Sequence, residues 1–467
     1  MTATEPQIGG RIKRLRRLKG VSQAQLAEAL DISASYLNLI EHNRRRITVP
    51  LLFRTAGYFG VEPGELAESD DGRLVGDLME LFGDDIFADA DLTNQDIRDL
   101  AANHPAVGRA VLKLFDHVRH LRSPEARTET APETGHNVVT EAVSDFLQEN
   151  ANHFPALETA AERVRHDIDN AAERFEEGLR VWLFNVFGIE TRLASLPNGV
   201  MRRLEGGGRV LAIADTLEPE SALFVMAQQA ALLAAKAEID RLIETSTLPQ
   251  PDAVPLARNV LASYTAAALI MPYEAFYTAC RNTRYDIERL GRRFRASFEQ
   301  VCHRMTTLQR PGMAGIPLHL VRTDIAGNIS KRFSLSGIHI PRHSGACPRW
   351  NVYSAFLNPG QINVQLSQMP DGQRFFCIAK AITKGGYAHN APRRHIAIGL
   401  GCAISHAANM IYAEGIDLDA PSGAVPIGVG CRICPRMECG QRAHPPADHR
   451  FSADTGERME NLYMQRG

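Results

Sequence analysis

The chain has 467 residues, is 44% hydrophobic and 23% charged, and carries a net charge of −2, a balance that suits a globular protein of two to four domains. No apolar run approaches the roughly 18 residues of a membrane span, and the N-terminal MTATEPQIGGRIKRLRRLKG lacks the apolar core of a signal peptide, so no membrane association and a cytoplasmic location are expected. Eight cysteines are too sparse for a disulfide scaffold, and clustered thiols in a reducing compartment more often bind metal.

Charge is unevenly spread. Residues 1–61 hold ten Lys/Arg against four Asp/Glu, whereas 62–99 hold two against thirteen. The basic head is a candidate polyanion binder, and the acidic stretch behind it would be repelled by the same polyanion. Within the head, a helical pattern over 8–19 places Ile12, Leu15 and Leu18 on one face. Ser22 offers an N-cap to QAQLAEAL, Asp31-Ile32 makes a tight turn, and Ser33 caps a second helix, SASYLNLIEHN. Short helix, tight turn and a second helix with small polar residues are what a helix-turn-helix needs. Ala27, Ile32, Leu37 and Ile40 would pack inward, leaving Ser33, Ala34, Ser35, Tyr36 and Asn38 for base edges in double-stranded operator DNA. Gln23, Asn43, Arg44 and Arg45, with Arg46, are the candidate backbone contacts. The Ser-Gln pair and the Leu-Asn-Leu-Ile-Glu string resemble the Xre/Cro-type helix-turn-helix family.

Helical pieces over 50–59 and 63–82 complete an all-α unit, 1–82, followed by a helical connector and the polar linker SPEARTETAPETGH, together 83–137. Residues 138–310 read as α+β: helices over 138–188, strand patterns in IETRLASL and GRVLAIAD around a glycine turn, then helices at 220–244, 253–270 and 284–308. Cys280 and Cys302 fall in apolar helical contexts and read as buried residues. From 311 to 467 a second α+β unit is expected, with strands in PLHLVRTD, FSLSGIHI and GQINVQLSQM and helices near 350 and 403–413. The whole is therefore multidomain, mainly α with α+β.

In the middle unit, ALFVMAQQAALL (222–233) is similar to the helix that carries H-E-x-x-H in the zinc-peptidase-like domain attached to such heads. Gln228, Gln229 and Leu232 stand where the two imidazoles and the carboxylate would fall, so no catalytic residue is assigned and the fold is expected to be catalytically dead. The competing function is a metal-dependent, protease-like regulator that cleaves or sequesters a partner and carries a structural zinc.

Near the C-terminus, Cys431, Cys434 and Cys439, followed by His444, form C-x2-C-x4-C-x4-H. That spacing admits zinc, and it equally admits an iron–sulfur cluster with a remote fourth thiolate from Cys402 or Cys347.

AGNISKR, GACPRWNVYSAF, GCAISHA, IYAEGIDL and PIGVGCRICPRMECGQRAHPP together resemble the short-chain fatty acyl regulator family, and with the head and middle unit the resemblance spans nearly the whole chain. It implies a transcriptional regulator, not an enzyme, that senses a short-chain acyl-CoA, propionyl-CoA before acetyl-CoA. It also implies a [4Fe-4S] cluster on Cys402, Cys431, Cys434 and Cys439, with Cys347 the alternative fourth ligand and zinc the alternative metal. A CoA site needs cations beside an apolar wall, which Arg202, Arg203, Lys331 and Arg332 with Tyr264 could supply. A homodimer or homotetramer is expected, since paired half-sites multiply affinity.

Overall fold

The computed structural model describes residues 9–19, 21–41, 45, 47–60, 71–87, 90, 92–122, 136–169, 174–197, 199–246, 248, 252–342, 345–385, 392–420, 423–445, 459–461 and 463–464. The linker expected at 123–136 falls outside them but for its last residue.

Four helices form the head: α1 (Gly9–Leu18), α2 (Gln23–Ala29), α3 (Ala34–Glu41) and α4 (Val49–Phe59). Ser22 starts α2 with a reciprocal capping box, its hydroxyl accepting from Gln25 N and its own N–H donating to the Gln25 side chain. Ile12, Leu26, Leu30, Leu37, Ile40 and Leu51 close the core between them. Helices α5 (Asp71–Phe82), α6 (Asn94–Asn103) and α7 (Pro105–Arg122) follow, packed through Leu74, Leu78, Ile97 and Ala101.

Next come α8 (His136–Glu149), α9 (Pro155–Asp169) and α10 (Phe175–Phe187). A small sheet of β1 (Glu190–Ala194), β2 (Arg202–Glu205) and β3 (Val210–Ala214) runs in the order β1-β3-β2. Helices α11 (Pro219–Ala234), α12 (Lys236–Glu244), α13 (Ala253–Ile270), α14 (Tyr273–Asn282), α15 (Ile287–Phe294) and α16 (Phe298–Thr306) complete this region. Contrary to the sequence expectation, α13 is long and apolar enough to cross a membrane. Its apolar residues are spent on the core instead: Leu261, Ala262, Ala266 and Leu269 are all buried.

The C-terminal region is built on β4 (Leu318–Asp324), β5 (Ile329–Ser334), helix α17 (Asn351–Ser354), β6 (Asn363–Gln368), β7 (Arg374–Gly385), β8 (Arg393–Ala403) and β9 (Val425–Pro426). The strand order is β5-β4-β8-β7-β6-β9, antiparallel except for the last pair. Strands β7 and β8, the longest among the described residues, are absent from the sequence reading. Both their faces are covered, so FFCIAKAI and IAIGLGCA carry no alternation of polar and apolar residues to betray them. One face, with Leu320, Phe376, Ile378, Leu400 and Cys402, continues the core of α15 and α16. The other, with Val321, Phe375, Cys377 and Ala379, packs on Cys347, Trp350, Val352 and Ile427. The segment 403–413, expected to be α-helical, is two short 3-10 turns.

Candidate functional site

In the head, Ala27, Leu37 and Ile40 are buried and Ile32 is partly buried against them, while Ser33, Ala34, Ser35 and Asn38 stand exposed along the start and outer face of α3. The Ser33 hydroxyl accepts from Tyr36 N at 3.1 Å, which fixes the entry to the helix. Tyr36 itself is half-buried against the core, with the Arg45 guanidinium 5.6 Å from its ring. Gln23 departs from its expected role. Its amide donates to Glu41 at 2.9 Å, and Arg16 Nε meets the same buried carboxylate at 2.6 Å, so Gln23 braces α2 on α3 rather than standing free for a phosphate. Asn43 and Arg44, with Arg46, lie outside the described residues.

In the middle region, α11 carries Gln229 buried and Gln228 facing α13, where it donates to Ser263 Oγ at 2.8 Å. Arg202, reaching in from β2, donates to the Gln229 side chain. Burial depresses the Arg202 pKa. A zinc site would need imidazoles where Gln228 and Leu232 stand, and a guanidinium seated on Gln229 repels a dication. The residues present do not fit the metal that a peptidase of this shape requires.

The five residues expected to hold acyl-CoA are not brought together. Arg202 and Arg203 are neighbours on one strand, so they point to opposite faces, with Arg203 exposed. Tyr264 is a core residue: its hydroxyl donates to Glu158 at 2.6 Å, and Glu158 is gripped by fully buried Arg304 at 2.6 and 2.9 Å. Arg332 is ion-paired with Glu141 on α8, and Lys331, pointing the other way from β5, lies near Glu299 of α16.

The C-terminal thiols are organised by Arg442. Its guanidinium is buried and donates to the carbonyls of Cys431 at 2.7 Å, Cys434 at 2.7 Å and Arg436 at 2.8 Å, folding the cysteine loop around itself. Ala443 N donates to Cys431 Sγ at 3.3 Å. The fourth thiol beside them is Cys347, not Cys402. Cys347 N donates to Val429 O at 2.9 Å, burial raises its thiol pKa, and Cys431 and Cys434 add to that rise. Burial also raises the Cys434 thiol, with Arg442 and Arg436 opposing the rise and Cys439 adding to it. Cys402 fails for a geometric reason. Its side chain leaves β8 on the face with Leu400 and Leu318, its Sγ 3.9 Å from Met410 Sδ, while Cys347 and the loop lie on the other face. His444 is exposed and contributes only its carbonyl to Arg442.

Among the described residues no three His, Cys, Asp or Glu side chains converge tightly enough to hold a metal ion as they stand. The donor chemistry nevertheless fits a thiolate-held centre: four soft donors on one loop and its neighbour, next to a guanidinium whose Nε is buried without a partner.

A helix-turn-helix head joined to a peptidase-shaped domain without metal ligands, and to a thiol-bearing sheet domain, defines a DNA-binding transcriptional regulator. The chain matches the helix-turn-helix family over residues 12–66, the IrrE N-terminal-like domain over 184–306, and the short-chain fatty acyl coenzyme A regulator C-terminal family over 307–463. It is 38% identical to the HTH-type transcriptional regulator PrpR of Mycobacterium tuberculosis over 96% of this chain and 93% of that one. It is 37% identical to the HTH-type transcriptional regulator RamB of the same species over 98% of each, and 36% identical to the propionyl-CoA carboxylase regulator of Cereibacter sphaeroides over 96% of each. A solved structure of a Mycobacterium tuberculosis transcriptional regulator, 39% identical, superposes with a TM-score of 0.66 over 70% of this chain and 99% of that chain. The chain belongs to the short-chain fatty acyl coenzyme A regulator family.

Proposed function

We propose that this regulator works in the cytoplasm as a homodimer or homotetramer on operator DNA, with a short-chain acyl-CoA, propionyl-CoA ahead of acetyl-CoA, as its effector. The observation that carries the effector reading is Arg202 seated on Gln229, which puts a cation where a zinc peptidase keeps its carboxylate and metal and so suits the position to an anion. Arg202 offers the charge for a CoA phosphate, and Gln228 with Ser263 offers neutral donors and acceptors beside it. Arg203 stands at the outer face of the same strand; Tyr264, Lys331 and Arg332 lie elsewhere and are left out of this site.

A [4Fe-4S] cluster would be held by Cys347, Cys431, Cys434 and Cys439, and when bound it supplies a redox- and iron-dependent brace between the loop and the sheet. Arg442 holds the loop carbonyls and places positive charge near four thiolates. Zinc on the same thiols is the second reading, favoured by the all-cysteine donor set.

Titration calorimetry of anoxically purified protein with a CoA-thioester series tests the effector. Graded affinity across neighbouring acyl lengths, about 1–3 kcal/mol per methylene, is expected, and Arg202→Ala is expected to weaken every member. No acyl-CoA binding, or equal affinity from free CoA to long-chain thioesters, overturns the reading.

A further inference from the structure

Glu299, near the start of α16, is surrounded by more positive charge than it can balance. Arg322 Nη1 of β4 lies 2.9 Å from its Oε1, and Lys384 of β7 is ion-paired with its Oε2. Lys331 of β5 is the cross-strand partner of Arg322, so both project from the same face of the sheet toward α16. Arg394 of β8 is the cross-strand partner of Lys384 and is exposed on that face. Among the described residues Lys331 and Arg394 have no ion-pair partner, whereas Lys380, farther along β7, has its own in Glu288 at 2.9 Å. Asp324, the remaining carboxylate nearby on β4, is consumed by its own turn, accepting from Ala326 N and Asn328 N.

A second observation points the same way. His303, one turn beyond Glu299, has its Nε2 buried with no hydrogen-bond partner, and at 3.8 Å the Glu299 carboxylate is too far to serve. Burial pushes the His303 pKa down to about 4, Lys331 adding to the effect, so the ring is neutral at pH 7 and keeps one nitrogen to offer. Burial works to raise the Glu299 pKa, but the ion pair with Lys384 outweighs it and the carboxylate stays ionised. One carboxylate thus faces three cations in Arg322, Lys331 and Lys384, beside an unused imidazole nitrogen. Unbalanced like charges this close repel one another, and a tetrahedral oxyanion with several acceptor oxygens relieves that repulsion.

We propose that Arg322, Lys331, Lys384 and His303 Nε2 form a binding site for a phosphate group at the seam between α16 and the six-stranded sheet. The group is either free inorganic phosphate or the phosphate monoester of a larger ligand. Arg322 is already oriented by Ser330, whose hydroxyl accepts from its Nε at 2.8 Å, so its remaining donors point into the seam with little loss of freedom. Lys331 is exposed and uncommitted and therefore supplies the main gain in affinity, while Glu299 holds the other two cations in place. None of these residues touches Arg202, Gln228, Gln229 or Ser263, so the site stands apart from the effector reading.

The test follows thermal unfolding and phosphorus NMR of the full chain with inorganic phosphate, at ionic strength held constant with chloride. Phosphate is expected to raise the melting temperature and broaden the phosphorus resonance in the wild type, and Lys331→Glu to weaken the affinity by at least about tenfold, the loss of one charge-assisted contact. Lys331→Met and Lys384→Met provide uncharged comparisons, and the melting temperature of each variant without phosphate checks that it folds. Adenosine 3′,5′-bisphosphate separates the two sources: tighter binding than inorganic phosphate identifies an ester as the ligand, and equal or weaker binding identifies the free ion. The proposal is overturned if phosphate acts no differently from chloride, or if it shifts wild type and Lys331→Glu alike. Loss of acyl-CoA binding in Arg202→Ala with the phosphate effect intact would separate the two sites.

Discussion

Gly83, just past the end of α5, lies directly against Ile433, the residue between Arg432 and Cys434 in the cysteine loop. A methyl group added at Gly83 would sit 2.7 Å from Ile433 Cγ2. About two helix turns earlier, a methyl group on Gly76 would fall 2.4 Å from His339 Nδ1. Between these two contacts Arg342 donates its backbone N–H to Glu80 at 2.8 Å and its Nε to Asp77 at 2.9 Å, and it also clasps Asp145 of α8. The helix that follows the DNA-binding head is therefore docked on residues 339–342 and on the cysteine loop, and rearrangement of the Cys431–Cys434 turn moves Ile433 against it.

Gly83→Ala and Gly76→Ala are expected to loosen this docking at a cost of about 1–3 kcal/mol each, the usual penalty of overpacking. Faster hydrogen exchange over 71–83 and 339–342, with the α2–α3 head unchanged, is the expected pattern. Unchanged exchange would show that the contact gives way without moving the helix.

Tyr264→Phe is expected to behave as a core substitution. It removes the hydroxyl that donates to Glu158 and accepts from Phe154 N at 3.2 Å, while the Arg304 pair remains, so the loss of stability is at least that of one hydrogen bond to a charged group, about 1.5–3 kcal/mol. Denaturant unfolding measures that loss, and propionyl-CoA affinity should stay as in the wild type. A tenfold fall in affinity without loss of stability would return Tyr264 to the effector site.

Stability is also expected to fall with acid before the carboxylates titrate. His319 is buried between Ser336 Oγ, 2.7 Å from Nδ1, and Cys377 Sγ, 3.6 Å from Nε2, and burial holds its pKa down to about 3. The unfolded chain takes up a proton at this residue below about pH 6.5, whereas the folded protein does so only near pH 3, so folding free energy declines across that window. His303, pushed down to about 4, acts in the same direction. At lower pH Glu158 adds to the loss. Burial opposes its ionisation, but Arg304 holds its pKa below the usual value, so its contribution is complete above that value and disappears as pH falls through the folded one. Urea midpoints measured from pH 7 to pH 4 should decrease steadily, and His319→Gln should flatten the upper part of the curve; a flat wild-type profile would contradict the burial of these rings.

The helix-turn-helix was legible because its signals are local: a capping serine, a tight turn and apolar residues one turn apart, all found again in Ser22, Asp31, Leu37 and Ile40. The missing peptidase ligands were equally legible, since they depend on residue type at fixed spacing on one helix. The role of Gln23 was not, because its partner Glu41 lies eighteen residues on and only packing brings them together. The grouping of the effector residues was not legible for a similar reason. Arg202 and Arg203 look like a pair in sequence and are split by the alternation of a strand, and Tyr264 and Arg332 find carboxylates, Glu158 and Glu141, from distant helices.

The choice of fourth thiol shows the same rule with a sharper consequence. Cys402 and Cys347 are both buried, and sequence distance favours Cys402, which is nearer the loop. The strand pairing decides against it. Cys402 stands opposite Leu318 and Phe376, which puts its side chain on the face shared with α15 and α16. Cys347 is anchored to Val429, two residues before Cys431, on the face where the loop begins. To ligate a centre with Cys431, Cys402 would have to pass through the sheet, breaking hydrogen bonds on both sides of β8. Anoxic preparations of Cys347→Ser and Cys402→Ser are therefore expected to differ in kind. The first should lose visible iron–sulfur absorbance and fall well below the about four irons per chain of a full cluster, while the second should keep both. Cys402→Ser, placing a hydroxyl against Met410 in an apolar core, should lower stability by about 1–3 kcal/mol without changing the iron count. Retention of iron by Cys347→Ser and its loss from Cys402→Ser would require the sheet to be rethreaded and would refute the assignment, and stoichiometric zinc in a colourless wild type would keep the four thiols and replace the metal.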